Sequence, residues 1–465
     1  MRRVFHFPRK WGIAAAAAGM LLTVTAGAGL PEAEGAQDIA VTINGTDYTL
    51  AQFNYYFQSW YDSFSTENAA LLPYMFDQSK PLKEQEYEDG RSWFDYFVDE
   101  SCVSMQQIVT LAEEAKKADF VLSEQARAQV DEVQSAVTDF AGTLGMEADD
   151  YLAYFYGEGM DREEFTACLT DARLADGYAQ QVRESFAPDT GQLEAYYTEH
   201  VRDFTTVSYE RYFARASAMG TQASPEQLEK AKTVADQIYE KVRGGTSLQE
   251  ATRQLSKETG TYHSFDDAQY LEGSVYGDWL FDPERKAGDL FLTQEVNGWY
   301  VMVFHSREIA DYASISVMDA VFPVDEADGS TDEQLEASCR KAEAFLEEWK
   351  KAGEGEAAFE ALARLQSRES GAAYDYPSLT KDVFSAGLNK WAFAPERKIG
   401  EAAVLYDPEG FHVLYYAGES VPAWQVKAAD ALKEEAFGSW FDELMKGSEL
   451  IRHEDVLAHA GGYED

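Results

Sequence analysis

His and Cys, the side chains best suited to proton and covalent chemistry near neutral pH, number only seven and three in this sequence, and most of them are wrongly spaced for it. His453 and His459 stand six apart, which on a helix sets them roughly 240° apart, so they cannot share a metal as a His-Glu-x-x-His pair does. The acidic run Asp325 to Glu336 has the charge and closing Glu of a calcium loop, but Ala327 stands at its third position and Ser330 at its sixth, where Gly is required. No Gly-x-Ser-x-Gly turn marks a nucleophilic Ser, and no Gly-rich loop cradles a phosphate. Cys102, Cys168 and Cys339 are spread over three regions without supporting context and read as small apolar residues. His412 remains, in the run Gly410-Phe411-His412-Val413-Leu414-Tyr415-Tyr416. An imidazole there could pass a proton. Its plainer role is that of a half-buried strand residue satisfied by a neighbour.

The elements that hold His412 are written twice. Trp279-Leu280-Phe281-Asp282-Pro283-Glu284-Arg285-Lys286-Ala287-Gly288 returns as Trp391-Ala392-Phe393-Ala394-Pro395-Glu396-Arg397-Lys398-Ile399-Gly400, with seven of ten positions identical, which marks an internal repeat. Each copy reads as a short helix opened by Pro and closed by Gly, followed by a strand at Gly298 to Phe304 or Gly410 to Tyr416. Upstream, Ser224-Pro225-Glu226-Gln227 pairs with Thr331-Asp332-Glu333-Gln334, each a capping box. Strand, long helix, two short helices and strand are therefore predicted twice, over Val207 to Glu308 and Ile315 to Glu419.

The chain is long enough for two to four domains. Its 83 Asp and Glu against 39 Lys and Arg give a net charge of −44, and Arg2, Arg3, Arg9 and Lys10 all precede the first acid, Glu32, so the remainder is more acidic still. Such a surface repels phosphates and excludes nucleic acid as a partner. The basic start, the apolar run Ile13 to Val24 and the small residues Thr25 to Gly29 form a signal-peptide pattern, with cleavage after Ala28 or near Gly35. An uncleaved leader would tether the chain to a membrane. No Cys stands near that site, which rules out a lipoprotein anchor by residue type.

Ile39 to Thr49 reads as a hairpin turning at Asn44-Gly45. Phe53, Tyr56, Phe57, Trp60, Tyr61 and Phe64 then fall on one helical face, predicted to be core. Asn68 to Gly90 reads as a loop. Further helices start near Trp93, after the caps Ser123 and Asp161, near Asp150, and after Asp189. Pro422 to Lys446 is one more amphipathic helix, carrying Trp424, Trp440 and Phe441, and Gly447 to Asp465 reads as a frayed polar tail.

A helical domain opening with strand, Asn-Gly turn and helix, then the Tyr196-Tyr197…Phe204 connector, then two modules of this size, resembles the exported foldases of the SurA and PrsA type. The resemblance implies an α+β protein: a signal peptide at 1–28 (or to 35), a helical chaperone domain at 38–204, parvulin-like modules at 205–310 and 314–419, a C-terminal helix at 421–446 that packs back on the first domain, and a tail at 447–465. It implies unfolded or newly exported polypeptides as partners, no cofactor, and an extracytoplasmic location at the cell surface or beyond. In such modules a pair of His, on the first and last strands, flanks the prolyl pocket and lowers the high cis/trans barrier of an X-Pro bond. Here Tyr209 to Phe213 and Gly298-Trp299-Tyr300-Val301 lack both, and Asp319-Ala320-Val321-Phe322 lacks the first. Only His412 matches, so the modules are expected to be degenerate binders, with Trp391, Phe393, Phe411, Trp279, Phe281 and Trp299 as candidate substrate-contacting walls. The alternative is an active peptidyl-prolyl isomerase working through the second module.

Overall fold

The computed structural model describes residues 37–462, apart from 70, 219–220, 256, 258, 325–331 and 370–371. The expected leader, the cap Thr331 and most of the calcium-like run lie outside the described residues. The fold is α+β. Its contacts divide it into two units, one of residues up to Ala187 together with Lys433 onward, the other Pro188–Leu432.

In the first unit, β1 (Ile39–Ile43) and β2 (Thr46–Thr49) form the hairpin. Thr49 and Gln52 then cap each other's backbone and start α1 (Leu50–Glu67). Its aromatic stripe is core: Phe53, Tyr56 and Phe57 are buried, and Trp60, Tyr61 and Phe64 pack against the same cluster. The stretch read as a loop is partly built, with α2 (Leu72–Met75), buried Phe76 and Leu82, and a ribbon of β3 (Glu86–Glu88) and β4 (Arg91–Ser92). Ser92 and Asp95 form the capping box of α3 (Trp93–Lys117). Its Phe97 lies 5.1 to 6.4 Å, ring centre to ring centre, from Phe57, Tyr61, Phe64 and Phe76, in the edge-on arrangement aromatic cores favour. α4 (Glu124–Thr143), α5 (Ala148–Tyr156) and α6 (Arg162–Ser185) complete this half, with Ser123 and Asp161 as N-caps.

The second unit opens with α7 (Thr190–Glu199), capped by Asp189 and Gln192. Its first module comprises β5 (Thr205–Arg215), α8 (Pro225–Arg243), α9 (Leu248–Thr252), β6 (Gly260–Ala268), α10 (Gly277–Leu280), β7 (Leu290–Glu295) and β8 (Gly298–Ile309). Its second comprises β9 (Ala313–Pro323), α11 (Asp332–Lys351), α12 (Glu356–Glu369), β10 (Ala372–Leu379), α13 (Ala386–Ala392), β11 (Ala402–Asp407) and β12 (Gly410–Pro422). The two antiparallel sheets have the same order, β6-β5-β8-β7 and β10-β9-β12-β11. In each, two helices cover one face, α8 with α9 or α11 with α12, and the short α10 or α13 lies on the other. Each copy thus holds four strands where the sequence pattern suggested two.

The repeated ten residues also differ from their sequence reading. Pro283 and Pro395 follow α10 and α13 instead of opening a helix, consistent with the bias of Pro against helix in the residue before it. Asp282 accepts from the Glu284 N–H at 2.9 Å and shapes the turn. Gly288 and Gly400, both at φ 90°, then turn the chain so that their N–H groups donate to the last strand at Phe304 and Tyr416, 2.8 and 2.9 Å away. Arg285 stands over the Trp279 ring at 5.1 Å and Arg397 over Trp391 at 4.0 Å. The repeat is therefore a strand-entry turn clamped by an Arg–Trp contact.

α14 (Ala423–Lys446) begins in the second unit, where Ala423, Ala428 and Trp424 pack with Tyr197 and Phe204. From Lys433 it belongs to the first unit, where Phe437 and Phe441 are buried and Trp440 lies 6.2 Å from Tyr178. The following residues are ordered where a frayed tail was expected. β13 (Leu450–Arg452) pairs with β1, making the sheet order β13-β1-β2. α15 (Glu454–Leu457) and the turn beyond it bury Leu457 and Ala460. The Gly461 N–H donates to the Asn54 side chain, Asn54 in turn donates to the Tyr156 carbonyl, and Arg452 pairs with Asp99 at 2.6 Å. The polar composition concealed this, because the segment is held by backbone bonds and a few apolar contacts.

Candidate functional site

Strand geometry fixes where His412 can point. On β12 it lies opposite Val321 of β9, and Leu414 lies opposite Asp319, so with side chains alternating along each strand His412 and Asp319 share one face. That face is the one carrying α13. His412 Nδ1 lies 2.9 Å from Asp319 Oδ2 and Nε2 lies 3.0 Å from Asp407 Oδ1. Asp407 ends β11, and the turn returns through Gly410 at φ 139°, where a Cβ would meet the Phe322 carbonyl at 2.4 Å, so only Gly can close this hairpin. His412 is 3 % exposed and Asp319 1 %.

Burial, the largest influence, pushes the imidazole down, but the Asp319 hydrogen bond and the charges of Asp319 and Asp407 outweigh it and hold His412 above its usual 6.5. Burial likewise raises Asp319, against the opposing pull of His412. A neutral imidazole can donate from only one nitrogen, so carboxylate oxygens at both nitrogens fit a charged ring. The other Asp319 oxygen is buried without a hydrogen-bond partner. With both ring nitrogens committed and almost no exposed surface, His412 has no free nitrogen to offer an X-Pro amide. Its arrangement is that of a buried ionic tie between the two central strands and the β11–β12 hairpin.

Asp319 and Asp407 were not read from the sequence as partners of His412. A signal existed for Asp319: it is an acid inside the apolar run Ile315 to Phe322, two positions from the residue opposite His412. The six aromatic candidates divide between the two faces. Trp391 and Phe393 lie on the His412 face of their module, and Trp279 and Phe281 on the matching face of theirs. Phe411 and Trp299 lie on the opposite faces, packed under the helices, because each is one residue from the position that faces outward. That corrects their assignment as walls of the same surface.

In the first module the positions of His412, Val321, Asp319 and Asp407 are taken by Tyr300, Phe213, Arg211 and Glu295. A recess of about 750 Å³ lies elsewhere in that module, lined by Tyr212, Thr252, Tyr262 and His263 among others, and contains none of the candidates. Burial pushes the Cys102 and Cys168 thiols up to about 12, so neither is a ready nucleophile. Among the described residues no group of His, Cys, Asp or Glu is disposed to hold a metal ion, and no helix is long and apolar enough to cross a membrane.

No family model matches the chain, and no curated protein sequence does. Two solved structures from Campylobacter jejuni, both from work on PEB4 and Cj1289 as SurA-like chaperones, are matched. The first is 10 % identical over 73 % of this chain and 98 % of that one, with a TM-score of 0.18. The second is 16 % identical over 48 % and 81 %, with a TM-score of 0.16. Neither superposes closely enough to bear on fold or function.

Proposed function

We propose that this chain is an exported folding factor that holds unfolded polypeptides, and that its two α+β modules are parvulin-like domains kept for binding and not for isomerisation. The observation that carries the reading is the state of His412. Prolyl isomerisation of the parvulin kind uses a pair of imidazoles, and here the facing residue is Val321 while both His412 nitrogens meet carboxylates. The matching faces of the two modules, with Trp279 and Phe281 on one and Trp391 and Phe393 on the other, are the surfaces that would meet extended chain. Export rests on the leader pattern in the sequence, and a leader left in place would tether the protein to a membrane.

Client holding is tested by light scattering of a neutral, aggregating polypeptide with and without the full chain, at low and high salt. Because apolar contact does the holding, suppression should persist as salt rises, with basic clients the exception on so acidic a surface. No suppression at either salt concentration would remove the reading. The alternative, isomerase action through the second module, has in its favour that His412, Asp319 and Trp391 share one face. A peptide isomerisation assay on wild type separates the two: a rate near background supports holding, and a rate clearly above background supports the enzyme.

A further inference from the structure

The first module carries, in place of the buried His412 cluster, a cation with open donors. The Arg211 guanidinium lies 4.8 Å from the ring centre of Phe265, 5.2 Å from that of Tyr300 and 5.6 Å from that of Tyr276. Its Nη1 donates to the Tyr276 hydroxyl at 2.5 Å. The three rings come from β6, the residue before α10, and β8, so separate elements converge to hold one planar group. Aromatic faces attract a guanidinium and fix its plane.

What is missing beside Arg211 is a carboxylate. Arg162, Arg285, Arg397 and Arg452 each lie on an acid, as expected in a chain with 83 acidic residues. Among the described residues Arg211 has no such partner, and its only hydrogen bond is the one to Tyr276. A guanidinium offers five N–H donors. None of those on Arg211 is a fully buried atom without a partner, unlike the Nε groups of Arg173 and Arg307, so the donors not used on Tyr276 keep contact with solvent. An arginine whose plane is set by three rings and whose donors are open has already lost most of the freedom that binding would cost it, and its fork matches a carboxylate.

We infer that Arg211, with Phe265, Tyr276 and Tyr300, is a carboxylate-binding subsite that takes an acidic group of an extended peptide lying on the outer face of the first module. The carboxylate is either the peptide's C-terminus or an Asp or Glu side chain. This rests on the reading of the modules as peptide holders and adds what the first module selects.

The test uses the full chain and three fluorescent versions of one short aromatic-rich peptide: with a free C-terminal carboxylate, with that end amidated, and amidated with a central Gln replaced by Glu. Wild type should bind one carboxylate version about tenfold more tightly than the neutral peptide, as a charge-assisted hydrogen-bonded pair allows, and the version that gains identifies the source. Arg211→Gln should erase the difference. Tyr276→Phe, which keeps the cation and removes its fixed hydroxyl partner, should reduce it, and serves also if Arg211→Gln does not fold. Equal binding of all three peptides by wild type, or a difference that survives in Arg211→Gln, overturns the inference while leaving client holding intact. Binding of none of them overturns it as well, and the light-scattering assay then reports separately on holding.

Discussion

Replacing His412 by Ala should destabilise the second module far more than loss of an ordinary strand residue would. The substitution leaves Asp319, 1 % exposed and with one oxygen already lacking a partner, facing Asp407 without the charge between them. Removing one member of a buried pair in this way costs about 3–5 kcal/mol, most of it the penalty of an uncompensated buried charge. The pH dependence has a definite sign. His412 is raised above 6.5, so its contribution is fully present below pH 6.5 and is lost as pH climbs through its folded-state value. Wild type should therefore lose stability in this module on the alkaline side of 6.5, and His412→Ala should not. Asp319, raised above 3.8, takes up its proton more readily in the folded than in the unfolded chain, so acidification should relieve part of the cost of the substitution. Hydrogen exchange of β9 and β12 in the full chain reads this module alone, which a single melting temperature of a two-unit protein would not. A loss at pH 7 below about 1 kcal/mol, the scale of a simple surface change, would refute the buried ionic tie.

Ending the chain after Leu432 should loosen the first unit by several kcal/mol, since Phe437 and Phe441 alone contribute about 1.5–3 kcal/mol each and β13 is lost with them; unchanged exchange in α1 and α3 would contradict this. Asn54→Leu removes a buried link between α1, the end of α5 and Gly461, and should cost about 1–3 kcal/mol by chemical denaturation followed in the first unit. Arg397→Ala uncovers Trp391 and breaks the pair with Glu401; a cost of about 0.5–2 kcal/mol is expected, with the Trp391 fluorescence shifted to the red, and an unmoved spectrum would show that the ring is covered by other means.

Local chemistry was legible in the sequence and distant pairing was not. Ser123, Asp161, Asp189 and Ser224 announce their helices because a cap is settled between a side chain and backbone three residues on. The α1 stripe was legible for the same reason: its period is its own. The edge strands β6 and β10 were missed because Gly260 to Ala268 and Ala372 to Leu379 are mixed in polarity, and only bonds to β5 and β9 define them as strands. β13 is three residues long, too short for any period to show. Of the His412 site, the imidazole and its facing Val321 were legible, whereas its two carboxylate partners depend on sheet register and on a hairpin end, which no local pattern encodes.

The sheet β13-β1-β2 has a consequence for the order of events during synthesis. Thr42 and His453, whose side chains meet beside this sheet, are 411 positions apart. At 5–20 residues per second a ribosome needs roughly 20–80 s to cover that distance. For that interval β1 has one bare edge and the first unit lacks Phe437, Phe441 and Leu457, while residues 188–432 form a contiguous stretch that can close its two sheets without waiting. The stretch made first is therefore the one finished last. A message broken anywhere between the codons for Leu432 and Arg452 would release a product with its second unit whole and an aromatic-rich first unit unfinished, a species that quality-control proteases would meet as a partly folded chain.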